Sequence, residues 1–167
     1  MISFSFSVDG VPEFERAFNR IEERFNDFRS IWPEVAQEFY RAEIEQFQSE
    51  GTAGGSGRFA ALSPAYRKYK EVKFPSKTIL RRTDSLFDSL TGADAPGSIF
   101  RPLVTELMIG TSIPYALAHQ RGTNRGMPSR KPISMSQEQK RRIQKAIQIG
   151  LVQFMRRQGL TILENAA

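Results

Sequence analysis

The chain has 167 residues, with 24 Lys and Arg, 18 Asp and Glu, one His and no Cys. This length suffices for one domain whose core needs no metal or disulfide support. The lack of Cys excludes a disulfide framework, a thiolate nucleophile and Cys-ligated metal centres, and one His excludes a site of several imidazoles within one chain. No stretch approaches the roughly 20 apolar residues of a membrane span, and the N-terminus lacks a secretory-signal pattern. We therefore expect a soluble intracellular protein without cofactor or membrane contact.

Charge is distributed unevenly along the chain. Residues 1–50 hold 11 acids and 5 bases, a net charge of −6, whereas residues 51–167 hold 7 acids and 19 bases, a net charge of +12. A chain divided in this way can meet a polyanion with its basic part, or an oppositely charged region of another copy. The charge pattern alone does not choose between these two partners.

The first 50 residues predict a strand followed by two helices. Apolar residues alternate with polar ones over residues 2–8, which is the period of a half-buried strand. From residue 11 to Trp32 they recur at spacings of three and four, so we predict a helix that packs on the sheet or on the next helix, with packing on another subunit as a coiled coil as the alternative. Pro33 begins a second helix that extends to about Glu50. Its predicted buried face consists of Ala36, Tyr40, Ile44 and Phe47.

Residues 51–62 begin with a glycine-rich stretch that superficially resembles a phosphate-binding loop. Such a loop needs a Lys and a Ser or Thr directly after its last glycine, after a strand and before a helix. Here Arg58 and Phe59 follow, and the preceding element is a predicted helix. We therefore predict a flexible surface loop rather than a nucleotide site.

Residues 63–133 contain short helices and a hairpin. Ser63 and Pro64 have the chemistry of a helix start, and Tyr66 and Tyr69 follow among bases on a short helix. Thr83 is the predicted N-cap of another short helix. Strands are predicted at residues 98–101 and 103–109. In the second strand the residues predicted to face the core are Leu103, Thr105, Leu107 and Ile109.

Residues 134–167 predict a long helix and a tail. Ser136 and Gln139 form a capping box at its start, and Lys140 and Arg141 lie in its first turns. Its predicted buried stripe is Ile143, Ile147, Leu151 and Phe154. The apolar residues 160–163 indicate a last short strand or a contact for a partner.

These elements predict an α+β fold in which a small antiparallel sheet packs against two N-terminal helices and a long C-terminal helix. We expect a single domain over residues 1–167. Its parts are an N-terminal strand and helix pair (1–50), a flexible loop (51–62), the sheet and motif segment (63–133), and the C-terminal helix and tail (134–167).

The segment 104–132 holds the single histidine and is the place where chemistry or recognition would be found. His119 has no acid or nucleophile at a catalytic spacing, so a structural role is favoured over general-base catalysis. We expect the Tyr115 ring to pack beneath the hairpin, and His119 and Gln120 to fix the following loop by hydrogen bonds. The predicted structural residues are Gly110, Tyr115, His119, Gln120, Gly122 and Pro128.

Basic residues around this loop are the predicted contacts with a neighbouring subunit's carboxylates or with phosphate. Arg121, Arg125 and Arg130 are expected to be exposed, and a solvated surface with no partner is the alternative for each of them. Lys131, Lys140 and Arg141 extend the set.

Residues 62–133 combine several short motifs in a fixed order. They are Leu62, Ser63 and Pro64 followed by Lys70; Ile79, Leu80, Thr83 and Leu86; Gly110; Tyr115, Ala116, His119, Gln120 and Gly122; and Pro128 with Arg130. In this order they resemble the phage virion morphogenesis family, the Mu-like tail completion proteins of the head-tail joining region. Two positions depart from that pattern: Asp84 stands where glycine is usual, and Ile133 where an aromatic residue is usual. Asp84 argues against a need for left-handed backbone there.

The resemblance implies a structural protein of a tailed-phage particle and not an enzyme. It implies that copies of the chain assemble as a six-fold homo-oligomeric ring around the DNA channel. It implies further that this ring lies between the tail tube or terminator and the head connector, in non-specific contact with DNA. It also implies location in the neck or tail of the virion after synthesis in the host cytoplasm. The alternatives are a sequence-independent DNA-binding protein, a tail terminator and a head-completion adaptor.

Overall fold

The computed structural model describes residues 27–157. The strand predicted at residues 2–8, most of the helix at 11–32 and the apolar stretch 160–163 lie outside the described residues. Residues 27–157 form an α+β fold of five helices and one two-stranded antiparallel sheet, as predicted. The elements are α1 (Trp32–Gln48), α2 (Pro64–Lys73), α3 (Ser85–Thr91), β1 (Ser98–Pro102), β2 (Leu107–Thr111), α4 (Ala116–Arg121) and α5 (Gln137–Arg157).

The helix α1 lies at the centre of the fold because it has apolar residues on two sides. Pro33 lies in its first turn, where a missing N–H costs no helical hydrogen bond. Along one side it packs against Leu86 and Leu90 of α3, and along the other against Phe154 of α5. The first cluster holds Ala36, Phe39, Tyr40 and Phe47, and the second holds Ile31, Trp32 and Val35.

The start of α5 is fixed by the predicted capping box. The Ser136 N–H donates to Gln139 Oε1 (2.9 Å), and the Gln139 N–H donates to Ser136 Oγ (3.3 Å). Each side chain satisfies a backbone N–H that the first helical turn leaves without a partner. The predicted stripe of α5 packs against the Trp32 side of α1 through Ile143, Ile147, Leu151 and Phe154.

The hairpin pairs β1 with β2 in a register that sets Ser98 opposite Thr111 and Pro102 opposite Leu107. Leu107 and Ile109 pack on the core, as predicted. The prediction that the second strand begins at Leu103 is wrong, and Leu103 and Thr105 are exposed. Residues 103–106 form the turn instead, and the Leu103 carbonyl accepts a hydrogen bond from Trp32 Nε1 (2.7 Å).

Two predictions about the start of α3 are wrong. The N-cap is Asp84 rather than Thr83, and Asp84 has a left-handed backbone with φ 59°. The position therefore has the conformation that glycine favours, although the sequence argued against it. Asp tolerates this region better than most residues, and here its carboxylate is also bound by Arg81 (2.7 Å) and Lys77.

The loop 51–62 is only partly the surface loop that its glycines predict, because residues 55–58 are exposed whereas Gly51, Gly54 and Phe59 are buried. The Gly54 N–H donates to Gln46 Oε1 (2.7 Å), and its carbonyl accepts from Ser134 Oγ (2.9 Å). A Cβ at Gly54 would lie 2.3 Å from the Ser134 carbonyl oxygen, so only glycine fits. Phe59 is buried against Phe47. Gly54 thus allows close packing against the chain before α5.

Candidate functional site

The segment from Tyr115 to Ile133, here called the return segment, comprises α4 and the loop that leads back towards α5. Tyr115 is the N-cap of α4, and 44% of its surface is exposed. Its ring meets the His119 ring edge-on at 5.8 Å between centroids. The prediction that Tyr115 packs beneath the hairpin is therefore wrong. Tyr115 instead packs against His119, one turn further along α4.

Gly122 ends α4 and reverses the chain. Its φ is 78°, and a Cβ there would lie 2.9 Å from the Met127 carbonyl oxygen and 3.0 Å from the Ser129 nitrogen. A narrow turn follows, closed by a hydrogen bond from the Thr123 N–H to the Met127 carbonyl (2.9 Å). Both the backbone angle and the lack of space explain why glycine stands at this position.

Gln120 holds the two ends of the return segment together. Its side-chain Nε2 donates to the Ile133 carbonyl (2.9 Å), and its Oε1 accepts from the Ile133 N–H (3.1 Å). The side-chain amide of Gln120 thus makes the two hydrogen bonds to the Ile133 backbone that a residue of a neighbouring β-strand would make. This is the fixing role predicted for Gln120.

Arg130 is buried, so the prediction that it is exposed is wrong. Only 7% of its surface is accessible. Its Nε donates to the Ala60 carbonyl (2.7 Å) and its Nη2 to the Ala61 carbonyl (2.9 Å). The rigid guanidinium can serve two successive carbonyls at once, which explains why Arg suits this position. Arg130 therefore anchors the loop 51–62 through Nε and Nη2 and is not one of the exposed cations of the surface.

The His119 side chain does not fix the loop by hydrogen bonds as predicted. Its Nδ1 is buried and has no hydrogen-bond partner within residues 27–157, while its backbone carbonyl accepts from the Arg130 N–H (2.8 Å). Burial lowers the pKa of His119, and the nearby Arg130 charge lowers it further. The imidazole is thus neutral at pH 7, and its ring packs against Tyr115.

Five of the six predicted basic contacts are exposed: Arg121, Arg125, Lys131, Lys140 and Arg141. Arg125 lies in the narrow turn after Gly122, whereas Lys140 and Arg141 lie in the first turns of α5. The ion pairs found within residues 27–157 involve none of the five. Their neighbour Arg142 differs, since its Nη2 lies 2.6 Å from Glu45 Oε2 on α1.

The other two predicted structural residues have different surroundings. Gly110 is buried within β2, where it pairs with Ile99. Pro128 is exposed, whereas Pro132 is fully buried. The proline that packs in this region is therefore Pro132, which follows the buried Arg130 by two residues.

Sequence reasoning missed Gln46, which lies on the buried face of α1 and is 0% exposed. Its Nε2 donates to the Lys131 carbonyl (3.0 Å), and its Oε1 accepts from the Gly54 N–H. One side chain therefore links α1, the glycine-rich loop and the return segment. The sequence signal for Gln46 was its position one residue before Phe47, beside the apolar stripe of α1. An amide at a buried position needs hydrogen-bond partners, so this position predicts contacts to other segments.

Glu43 is the second buried polar residue that the sequence did not reveal. It is 0% exposed, and both its carboxylate oxygens lack a hydrogen-bond partner within the described residues. Burial raises its pKa to about 9. At neutral pH the group is therefore a neutral carboxylic acid in the core, because an uncompensated buried charge is costly.

Residues 27–157 contain neither a candidate metal cluster nor a candidate membrane span. No cluster of three or more His, Asp or Glu side chains in that range could hold a metal ion. None of its helices is both long and apolar enough to cross a membrane.

Comparison with known proteins gives one match. The sequence model of the phage virion morphogenesis family matches residues 9–151, which is most of the chain. Neither the search of curated proteins nor the search of solved structures found a match. The matched range includes α1, the hairpin, the return segment and the first two-thirds of α5.

Proposed function

The chain belongs to the phage virion morphogenesis family, and we propose that it is a tail completion protein that joins the tail tube to the head connector. The family is one of structural and morphogenesis proteins, so the chain has a structural role in a virion-associated assembly. The observation that supports the proposal most is the length of the family match, residues 9–151. The neck position is our extension of that family role.

We propose further that the subunits form a closed ring, of six copies, around the DNA channel. A ring of identical subunits needs two different surfaces that fit each other. The return segment supplies one such surface, because Gln120 and Gly122 hold a turn with the exposed Arg121 and Arg125 at its end. The proposed opposing surface is acidic.

The acids of α1 contribute little to such an opposing surface. Glu45 is paired with Arg142 (2.6 Å), Glu38 with Arg41 (3.1 Å), and Glu43 is buried. Just beyond the helix, Glu50 is paired with Arg58 (2.8 Å). The sequence-level contrast between an acidic N-terminal part and a basic remainder is thus partly neutralised inside one subunit. Glu34 in the first turn of α1 is exposed, and none of the ion pairs described for residues 27–157 uses it.

The test of the function is removal of the protein from a phage-producing cell. We expect filled heads and complete tail tubes that fail to join, and we expect joining to be restored when the protein is supplied separately. Electron microscopy of the lysate provides the measurement. Normal joined particles, or the loss of tails alone, would contradict the proposal, the latter in favour of a tail terminator.

The test of the ring is electron microscopy of the purified protein with tail tubes. Two-dimensional averages should show a six-fold ring at one end of the tube. Arg125→Ser should weaken ring formation, while Arg101→Ser, which removes an exposed cation from β1, should not. Equal effects of the two substitutions would exclude the return segment as the contact.

Sequence-independent DNA binding is the second candidate, favoured by the exposed cations Arg121, Arg125, Lys131, Lys140 and Arg141. If they contact phosphates, the logarithm of the binding constant should fall linearly with the logarithm of salt concentration, with a slope of about −0.9 per phosphate neutralised. Absence of binding to duplex DNA at low salt would eliminate this candidate. A positive result would be compatible with a neck protein that surrounds DNA.

A further inference from the structure

A cleft of about 430 Å³, here called the tyrosine cleft, lies between α2, the segment before α3 and the return segment. Tyr66 and Tyr115 line it from α2 and from the start of α4, and they are 38% and 44% exposed. Apolar side chains, among them Ile79 and Ile113, complete the lining. The cleft therefore combines accessible aromatic rings with apolar walls, as protein-binding sites do.

The charged residues of the tyrosine cleft are all cations. Lys70, Arg82 and Arg130 line it, and no Asp or Glu is among its lining residues. Lys70 and Arg130 are only 5% and 7% exposed. Their charged groups donate to the backbone carbonyls of Thr78, Ala60 and Ala61, and no ion pair within the described residues neutralises either of them.

Lys70 and Arg130 are buried cations with no carboxylate of the described residues at ion-pair distance, so they leave positive potential in a region of low dielectric, which Glu50 and Asp84 offset in part at Lys70. Burial lowers the pKa of both Lys70 and Arg130, even though Glu50 and Asp84 favour the charged form of Lys70. An anion that enters the cleft would be attracted by both charges and by the exposed Arg82. His119, whose buried Nδ1 lacks a hydrogen-bond partner among the described residues, also lines the cleft.

We infer that the tyrosine cleft binds an acidic peptide segment of another virion protein, with a carboxylate beside Arg82 and Arg130 and an apolar side chain between Tyr66 and Tyr115. This inference rests on the proposed assembly function, because it takes the partner from the same particle. It goes beyond that function by giving the chemistry of the partner and the place where it binds.

The geometry favours a peptide over DNA as the ligand. Duplex DNA presents its phosphates on a broad surface, where exposed and flexible cations neutralise them. Lys70 and Arg130 are neither exposed nor free to extend, since both hold backbone carbonyls. A single side chain of an extended peptide can enter a cleft of this size and approach them.

The first experiment maps the partner by photo-crosslinking during particle assembly. The photoreactive residue benzoylphenylalanine replaces Tyr66 in the full chain, and the crosslinked peptide is identified by mass spectrometry. The matched control carries it at Val72, which lies on the same helix, is 77% exposed and does not line the cleft. We expect Tyr66, and not Val72, to crosslink to a segment with at least two acidic residues.

The second experiment reverses one charge in the cleft. Arg82→Glu should lower the yield of complete particles at least about tenfold, because like charges in contact cost several kcal/mol. Lys68→Glu, an equal charge change at an exposed site on α2 outside the cleft, should leave the yield unchanged. Replacing an acid of the crosslinked segment by Lys should restore the yield with Arg82→Glu.

The outcomes separate the two proposals. Crosslinking to DNA only, to a segment without acidic residues, or equally from both positions would overturn the inference about the cleft while leaving the tail completion function intact. The same holds if Arg82→Glu and Lys68→Glu give equal yields. If the chain does not enter particles at all, the proposed function itself fails.

Discussion

Two regions of the molecule differ in how their cations are paired: the contact between α1 and α5, and the region around the return segment. At the first, Glu45 accepts from Gln139 (2.9 Å) and from Arg142 (2.6 Å), so cation and carboxylate meet within the subunit. At the second, the buried Arg130 and Lys70 donate to backbone carbonyls and form no ion pair within residues 27–157, and Glu50 and Asp84 act on Lys70 only from a longer distance. In the first region the opposite charges of Glu45 and Arg142 neutralise each other within the subunit. The second region retains positive charge that a partner can neutralise. The difference indicates which face is suited to assembly.

The largest expected effect comes from Arg130→Leu. It leaves the Ala60 and Ala61 carbonyls without their donor, and we expect a loss of about 3 kcal/mol in the free energy of unfolding. Urea denaturation measures it. Arg125→Leu is the control at an exposed site and should change stability by less than about 0.5 kcal/mol. Similar values for the two variants would mean that Arg130 is not an anchor.

The next effect concerns Glu43, the buried acid of α1. Its pKa is raised to about 9 in the folded state, so above its ordinary value of 4.5 the unfolded chain loses the proton while the folded chain keeps it. The contribution of Glu43 to the free energy of unfolding is therefore fully present below pH 4.5. It falls by up to about 1.4 kcal/mol per pH unit as the pH rises towards 9.

Glu43→Gln should remove this loss and make stability nearly independent of pH between about 7 and 8, above the range in which His119 of the unfolded chain titrates. Denaturant unfolding at several pH values measures the slope. Glu34→Gln, at an exposed position on the same helix, should retain the slope of the unmodified chain. A chain whose stability does not fall over this range would show that Glu43 is already ionised when folded.

Gly122→Ala should lower the free energy of unfolding by about 2 kcal/mol. One part of this loss comes from the positive φ, and the other comes from the contact of the new Cβ with the Met127 and Ser129 backbone. Gly126→Ala is a matched control, because Gly126 also has positive φ (89°) but open space around its Cβ position. It should cost only about 1 kcal/mol. Thermal unfolding of both variants measures the difference, and equal costs would contradict the close approach.

Glu45→Gln should have the smallest effect, below about 1 kcal/mol, because the pair with Arg142 is partly exposed and screened by salt. The hydrogen bond from Arg142 lowers the pKa of Glu45, so its contribution is present above the ordinary pKa and is lost as pH falls through the lowered one. This direction is opposite to that of Glu43. Unfolding in low and high salt measures it, and a salt-independent effect would argue against ion pairing.

The parts of the fold that sequence predicts are those fixed by neighbours along the chain. The capping box joins Ser136 and Gln139, three residues apart, and Ser63 caps α2 through the Tyr66 N–H (3.4 Å). Such contacts depend on residue types within one helical turn. For the same reason the stripe of α5 and the hairpin were predictable.

The candidate site was less predictable because its decisive contacts are distant in sequence. Arg130 binds a carbonyl 70 residues away, and Gln46 binds one 85 residues away. A basic residue in a loop rich in Gly and Pro is expected to be solvated, and only the fold brings Ala60 to Arg130. The family resemblance located the segment, but it did not separate the buried arginine from the exposed ones.

The helix α2 has one buried residue, Lys70, and its other nine positions are exposed. Opening such a helix exposes little apolar surface, so it should form a separate unit of low local stability. Its backbone amides should exchange with deuterium by local opening, faster than those of α1, whose exchange requires global unfolding. Uniform protection across both helices would disprove this. Because α2 forms one wall of the tyrosine cleft, we expect the width of the cleft to vary when α2 opens locally.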